Sequence, residues 1–390
     1  MFPRRIPLAW HNLTHDRRRL LAAVSGITFA VLLMFLERGF QNALFDSTVE
    51  VIRLLDAKIV LVNRAQYALP AQQRFSRLRI DQAKGCPGVA SVHPVFIETY
   101  YSVLKRPGHK GYPIRVIGLE PGEPIFTSPA IIRAAADLKL PESALIDDKS
   151  KAKYGFNSTS PRALSAEDAE LANRTVRLVG TFELGTDFAN DGNLIMSDAN
   201  FARYFPRRHP GDPLSVVDLG VVQLQPDADV LKVQQTLRAM LPSDVAVYTK
   251  QEMIEHERQF WHASTPVGFI FALGTLMGFV VGVVICYQVL YASIADHVDQ
   301  FATLRAMGYP SRYFIGVVLC EAVYLSLLGF VPGLLLAMGA FYALGEYTGL
   351  LLVLTLPRAA FVYLLALVMC TLSGCLAMRK VLAVDPAELF

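Results

Sequence analysis

Long uncharged runs alternate very unevenly with mixed polar sequence along this chain. Leu20–Leu36 and Ser264–Ala295 carry no charge, Tyr313–Gly345 carries one acid, Glu321, and Ala359–Met378 carries none. An α-helix rising 1.5 Å per residue crosses the hydrocarbon with roughly 17–25 apolar residues. The pattern therefore predicts four transmembrane helices, with a polar stretch between the first and second long enough to fold. The expected organisation is a cytoplasmic segment 1–19, a first span 20–36, an extracytoplasmic domain with stalk helices 37–263, and a second span 264–295. A short cytoplasmic helix 296–312, a third span 313–345, an outer link 346–358, a fourth span 359–378 and a cytoplasmic tail 379–390 follow.

After the first span, Phe40, Ala43, Leu44, Val51, Ile52 and Leu55 recur at helical intervals, so the helix is expected to continue as an amphipathic stalk to about Asp56. Before the second span, Thr249 and Glu252 have the spacing of a capping box and open a second stalk through Met253, Ile254, Phe260 and Trp261. Between the stalks, Lys58–Val62, Val89–Leu104, Ile114–Leu119, Thr175–Phe182 and Val216–Leu224 read as strands. Ile80–Lys84, Ala130–Leu138, Ser197–Tyr204 and Ala228–Leu241 read as helices. The domain is therefore α+β, as one body or as two lobes parting near Leu119–Asp147. Gly274, Gly278 and Gly282 form a small-residue ridge suited to a close helix seam, and Gly329 with Pro332-Gly333 is expected to kink the third span.

Composition agrees with a membrane protein: 53% of residues are hydrophobic and 18% charged. A net charge of +3 gives no support to a nucleic-acid partner. Arg4, Arg5, Arg17, Arg18 and Arg19 precede the first span and Arg379 and Lys380 follow the last, which places both termini in the cytoplasm. The first apolar run exceeds a signal-peptide core and Glu37-Arg38-Gly39-Phe40 offers no small-residue cleavage site, so it is read as a retained anchor. Only Cys86 of the five cysteines lies in the inserted domain, which must fold without an internal disulfide.

Catalytic and cofactor motifs are not evident. The chain has no phosphate-binding Gly-Lys-Ser/Thr loop, nucleophile elbow, His-Glu-x-x-His or paired Cys-x-x-Cys. Asp187, Asp191, Gly192 and Asp198 echo a calcium loop, but Ala189 stands at a ligand position, and a turn at Asp191-Gly192 between two strands with Asp198 opening a helix is the better reading. No catalytic, cofactor or metal residue is assigned. Glu321 is the intramembrane acid; a cap or a pair with Arg305 or Arg312 near the interface fits its position better than a proton relay.

The segment Asp299-Gln300-Phe301-Ala302-Thr303-Leu304-Arg305-Ala306-Met307-Gly308 sets an apolar face of Phe301, Leu304 and Met307 before a glycine stop. With the one-plus-three spacing of spans and the ending Val384-Asp385-Pro386-Ala387-Glu388-Leu389-Phe390, it resembles the coupling element of FtsX-like, MacB-type ABC transporter permeases. Ile6-Pro7-Leu8-Ala9-Trp10, Ala43-Leu44-Phe45-Asp46-Ser47, Asp191–Asp198, Thr249–Glu252 and Ser264–Thr275 resemble the DevC family, the membrane subunit of heterocyst-type exporters.

The resemblance implies a non-catalytic subunit of the bacterial inner membrane with no cofactor of its own. A separate MacB-like or DevA-like ATPase would dock on Phe301, Leu304, Arg305, Met307 and Gly308. A homodimer would work with a DevB-like adaptor and a TolC-like outer-membrane channel to export an amphiphilic or lipidic substrate. Leu44, Val51 and Leu55 on one stalk and Met253, Ile254 and Phe260 on the other would transmit the motion. Two other readings remain at this point: an FtsX-like transducer controlling a periplasmic hydrolase, and a membrane sensor or enzyme without an ATPase.

Overall fold

The computed structural model describes residues 8–156, 169–187, 189–264, 266–296, 303, 307–348 and 352–382. The chain divides into two compact units, one of Met1–Asn42, Val267–Leu344 and Leu352–Phe390, the other of Ala43–Pro266 and Gly345–Leu351. In chain order the elements are α1 (Leu8–His15), α2 (Arg17–Leu54), β1 (Ile59–Asn63), β2 (Phe75–Ser76), α3 (Leu78–Lys84), β3 (Val89–Glu98), β4 (Val103–Lys105), β5 (Tyr112–Pro113) and β6 (Arg115–Leu119). They continue with α4 (Pro129–Arg133), α5 (Ala135–Leu138), β7 (Ser143–Asp147), β8 (Ala169–Leu171), β9 (Arg174–Phe182), β10 (Asn193–Ser197) and α6 (Asp198–Tyr204). The remainder are β11 (Val216–Val217), β12 (Leu219–Leu224), α7 (Val230–Met240), β13 (Val245–Thr249), α8 (Lys250–Ser264), α9 (Pro266–Asp296), α10 (Ser311–Thr348) and α11 (Leu356–Leu382).

The inserted domain is built on one eleven-stranded sheet in the order β13-β1-β12-β3-β6-β10-β7-β9-β8-β4-β5. Pairs β6–β10 and β7–β9 are parallel and the other pairs in it antiparallel. Period-two alternation divides its side chains between two cores. Ile59 and Leu61 join Ile80 of α3, Phe201 of α6 and Leu237 of α7 on one face. Val60 and Val62 join Val51 and Ile52 of α2, Ile131 of α4 and Met253 of α8 on the other. Helices cover both faces, which is why the central strands read as nearly continuous apolar runs.

Three expectations change. The sheet does not part at Leu119–Asp147, because β6 and β7 both pair with β10. The predicted strand Val89–Leu104 breaks after Glu98, whose buried carboxylate accepts the Tyr100 and Tyr101 N–H groups at 3.1 and 3.3 Å and pairs with Arg74 at 2.9 Å. The turn at Asp191-Gly192 does not close a hairpin, since β9 pairs with β7 and β8 while β10 pairs with β6 and β7. As expected, Asp198 opens α6, and Ser197 before it is the N-cap, accepting the Asn200 N–H.

Among the described residues, α2, α9, α10 and α11 are the four helices long and apolar enough to span a bilayer. Close approaches fix their register. Gly274, Gly278 and Gly282 of α9 face Glu37, Met34 and Ala30 of α2, so these two helices run antiparallel. Gly329 and Gly333 of α10 face Ile27 and Val31 of α2 in parallel order. α10 continues as a helix through Pro332, and its glycines serve this contact. α11 runs alongside α9, with Met369 against Gly282 and the Ser373 hydroxyl donating to the Val283 carbonyl at 2.9 Å. The directions alternate as four successive crossings require.

Candidate functional site

The two predicted stalks meet within one subunit. Val51 of α2, Leu55 just after its end, and Met253 and Ile254 of α8 are buried in the same cluster against the sheet. Leu44 is half-buried, and Phe260 lies outside that cluster against the rings of Tyr67 and Trp261 at 5.2 and 5.6 Å. Polar contacts fix the pair at two levels. At one, Asp46 takes the guanidinium of Arg258 at 2.5 Å and that of Arg53 at 3.0 Å, and the Phe45 ring lies 5.9 Å from that of His262. At the other, the Lys250 ammonium donates to the Arg53 and Leu55 carbonyls at 2.8 and 2.6 Å. Those are carbonyls that the end of α2 leaves without helical partners, where a cation is favoured. Burial lowers the Lys250 pKa, and Asp56 opposes the shift.

The start of α8 follows from its sequence. The Glu252 N–H donates to Thr249 Oγ1 at 3.1 Å, and the Thr249 N–H donates to Glu252 Oε2 at 2.8 Å. This is the reciprocal capping box that the Thr-x-x-Glu spacing predicts. Two turns later Glu257 is buried, its carboxylate accepting the Leu69 N–H at 2.9 Å and the Trp261 indole N–H at 2.9 Å. Burial pushes this carboxyl up to about 7; the two hydrogen bonds and Arg115 oppose the rise, while Asp187 adds to it. The pattern of apolar positions gave no reason to single out Glu257, Arg258 or Lys250. The i,i+4 spacing of Glu257 and Trp261 was the available signal.

Of the predicted coupling residues, Phe301, Leu304 and Arg305 lie outside the described residues. Met307 is exposed and its N–H donates to the Thr303 carbonyl at 3.1 Å. Gly308 adopts φ +94°, a left-handed stop that glycine accommodates without a Cβ clash. Glu321 is buried and accepts from the Asn12 amide at 3.2 Å, and Trp10 packs edge-on against Tyr324, so α1 docks on α10. Glu37, which the sequence placed just past the first span, lies against Gly274.

Asp187 pairs with Arg115 at 2.5 Å, Asp191 with Lys151 and Lys153, and Asp198 accepts the Ala199 N–H. The calcium-like loop therefore spends its carboxylates on separate partners. Ser91, His93 and Glu123 form a Ser-His-acid set by composition, with Ser91 Oγ 2.8 Å from His93 Nε2 and His93 Nδ1 3.7 Å from Glu123. The hydrogen-bond directions turn the Ser91 proton away from His93. The Gln223 amide nitrogen donates to the Asp56 and Pro124 carbonyls, which turns its oxygen toward Ser91, and the Ser91 hydroxyl donates to that oxygen at 2.8 Å. Ser91 then accepts from His93 rather than giving it a proton.

The chain is similar in sequence to known proteins. Residues 269–386 match the FtsX-like permease C-terminal family. Uncharacterized ABC transporter permeases of Mycobacterium bovis and Mycobacterium tuberculosis are each 25% identical over 395 residues, covering 98% of this chain and 98% of theirs. The periplasmic region of MacB from Actinobacillus actinomycetemcomitans matches 52% of this chain and 92% of its own at 13% identity and a TM-score of 0.37. The extracellular domain of the ABC-type transporter YknZ from Gram-positive bacteria matches 49% and 99% at 14% identity and a TM-score of 0.35. The last third of the chain is an FtsX-like permease domain, and the chain is a homologue of ABC transporter permeases.

Proposed function

We propose that this permease is the non-catalytic membrane subunit of an exporter that turns ATP-driven closure on one side of the membrane into movement of the inserted domain on the other. The observation that carries this reading is the stalk pair, joined at Asp46–Arg258 and again where Lys250 caps α2. The basic residues that precede the first apolar run and follow the last favour cytoplasmic termini, with 37–263 outside and spans at 20–36, 264–295, 313–345 and 359–378. An ABC permease implies an ATPase partner; the segment of Phe301, Leu304, Arg305, Met307 and Gly308 is its docking site in this reading. Two permeases and two ATPases form the working unit, handing an amphiphilic or lipidic substrate to a DevB-like adaptor and a TolC-like channel.

The test is affinity purification of the tagged chain from its native membrane. An ATPase and an adaptor should copurify, and Leu304→Asp with Met307→Asp should release the ATPase while insertion and folding persist. Recovery of a periplasmic hydrolase in place of an adaptor would convert the reading to signal transduction. Unchanged ATPase binding by the double variant would remove the segment from the interface.

A further inference from the structure

We propose that the flank of the membrane unit between α9 and α11 binds one anionic phospholipid, with its headgroup at Arg379 and Gln288 and an acyl chain along Val283, Val284 and Leu376. A laterally open groove of about 710 Å³ runs between these side chains and Tyr287. Its wall is preformed. Behind it the Ser373 hydroxyl holds the Val283 carbonyl, and Cys286, Leu290 and Cys370 are fully buried.

Three observations select the occupant. Gln288 carries the only side-chain amide or charge in α9 before Asp296, and it is exposed. A polar side chain facing lipid is costly unless a polar partner meets it. Arg379 stands exposed at the opposite lip of the same groove, supplying the charge that a phosphate needs. Val284 and Leu376 are 48% and 41% exposed and offer a chain-shaped apolar surface that a soluble anion would not use.

The length also fits. α9 and α11 are in register at Gly282 and Met369. Arg379 lies ten residues beyond Met369, about 15 Å along the helix. That is roughly half of a 30 Å hydrocarbon core, the depth of one leaflet. The groove ends on the side of the bundle where Arg19 pairs with Asp296, so headgroup and basic rim share one level.

The experiment uses the full-length chain in neutral detergent, with native mass spectrometry and thermal unfolding as readouts. Phosphatidylglycerol should bind and stabilise it, whereas phosphatidylcholine and inorganic phosphate should not. Arg379→Gln should weaken phosphatidylglycerol binding about fivefold, the effect of one basic contact at a lipid surface. Gln288→Leu should weaken it as well, and Arg312→Gln, which does not line the groove, should leave it unchanged. An equal loss in Arg312→Gln would reduce the effect to general surface charge and overturn the site. Full competition by inorganic phosphate would overturn the lipid assignment. Efficient cross-linking between copies through Leu376→Cys in native membranes would show a second chain in the groove instead.

Discussion

Replacing Glu257 by Gln should flatten the stability of the inserted domain between pH 5 and 8. The carboxyl is raised from an ordinary 4.5 to about 7 because burial penalises its charge. A folded state that holds a proton more tightly than the unfolded chain is most stable where both are protonated, below about pH 4.5. That stability is lost as pH rises toward 7 and is gone above it. At about 1.4 kcal/mol per pKa unit, the span sets a ceiling of roughly 3.5 kcal/mol. Asp147 and Asp218 are also raised by burial and add slope of the same sign, so the difference between parent and variant, not the parent curve, reports Glu257. Asp187 and Arg115 face the site with opposing effects and stay in place in the variant. Glutamine keeps one acceptor for the Leu69 N–H or the Trp261 indole. The assay is thermal unfolding of the whole chain in nanodiscs from pH 5 to 8.5, read by Trp261 fluorescence in a Trp10→Phe background; the chain has 2 tryptophans. Parent and variant should match near pH 5, and the variant should unfold several degrees higher at pH 8. Parallel curves across the whole range would refute a protonation origin for the shift.

Further outcomes follow from the same geometry. Gly282→Leu should disrupt the membrane unit, because a side chain there runs into Met369 and Ala30; overpacking of this kind costs about 1–3 kcal/mol, seen as loss of a monodisperse peak in detergent. Reporter fusions at the exposed turn Gly211 and after Phe390 should give opposite activities, and a cytoplasmic signal from Gly211 would reverse the proposed orientation. Lys250→Met should destabilise the inserted domain by about 1–3 kcal/mol through the loss of two charged hydrogen bonds to carbonyls, measured as a lower urea midpoint. Asp46→Ala and Arg258→Ala should each uncouple ATP hydrolysis from export in the reconstituted complex at near-parental stability; unimpaired export by both would leave the stalks as tethers.

The four spans and the α+β character of the insert were legible because hydropathy and period-two alternation are local signals. The capping box of Thr249 and Glu252 was legible for the same reason. What escaped was set by tertiary pairing. β7 and β13 are five residues each with no turn or cap signal to mark them, and their place in the sheet depends on partners distant in sequence. The chain break after Glu98 required knowing that this acid would be buried and would meet two backbone donors. The pattern of apolar positions does not mark Glu257 or Lys250, whose partners come from the Leu69 loop and the end of α2. The continuity of the main sheet was not legible because it depends on β10 pairing with both β6 and β7, contacts between segments far apart in sequence.

The stalk contacts bear on mechanism through where they fall, more than through their strength. An exposed or half-exposed ion pair such as Asp46–Arg258 contributes about 1 kcal/mol or less. A domain that only needed holding would be served by the apolar cluster of Val51, Leu55, Met253 and Ile254 alone. The polar joints instead lie at Lys250 and at Arg258–His262, roughly 12–18 Å apart along α8. One joint lets two helices pivot; two joints at different heights fix their relative direction. Glu257 adds a third restraint on the side of α8 facing the Leu69 loop. Rotation of α8 against α2 therefore requires breaking several charged contacts together. In the proposed function this resistance to rotation is what the stalk pair contributes, since coupling needs a defined physical element rather than mere proximity.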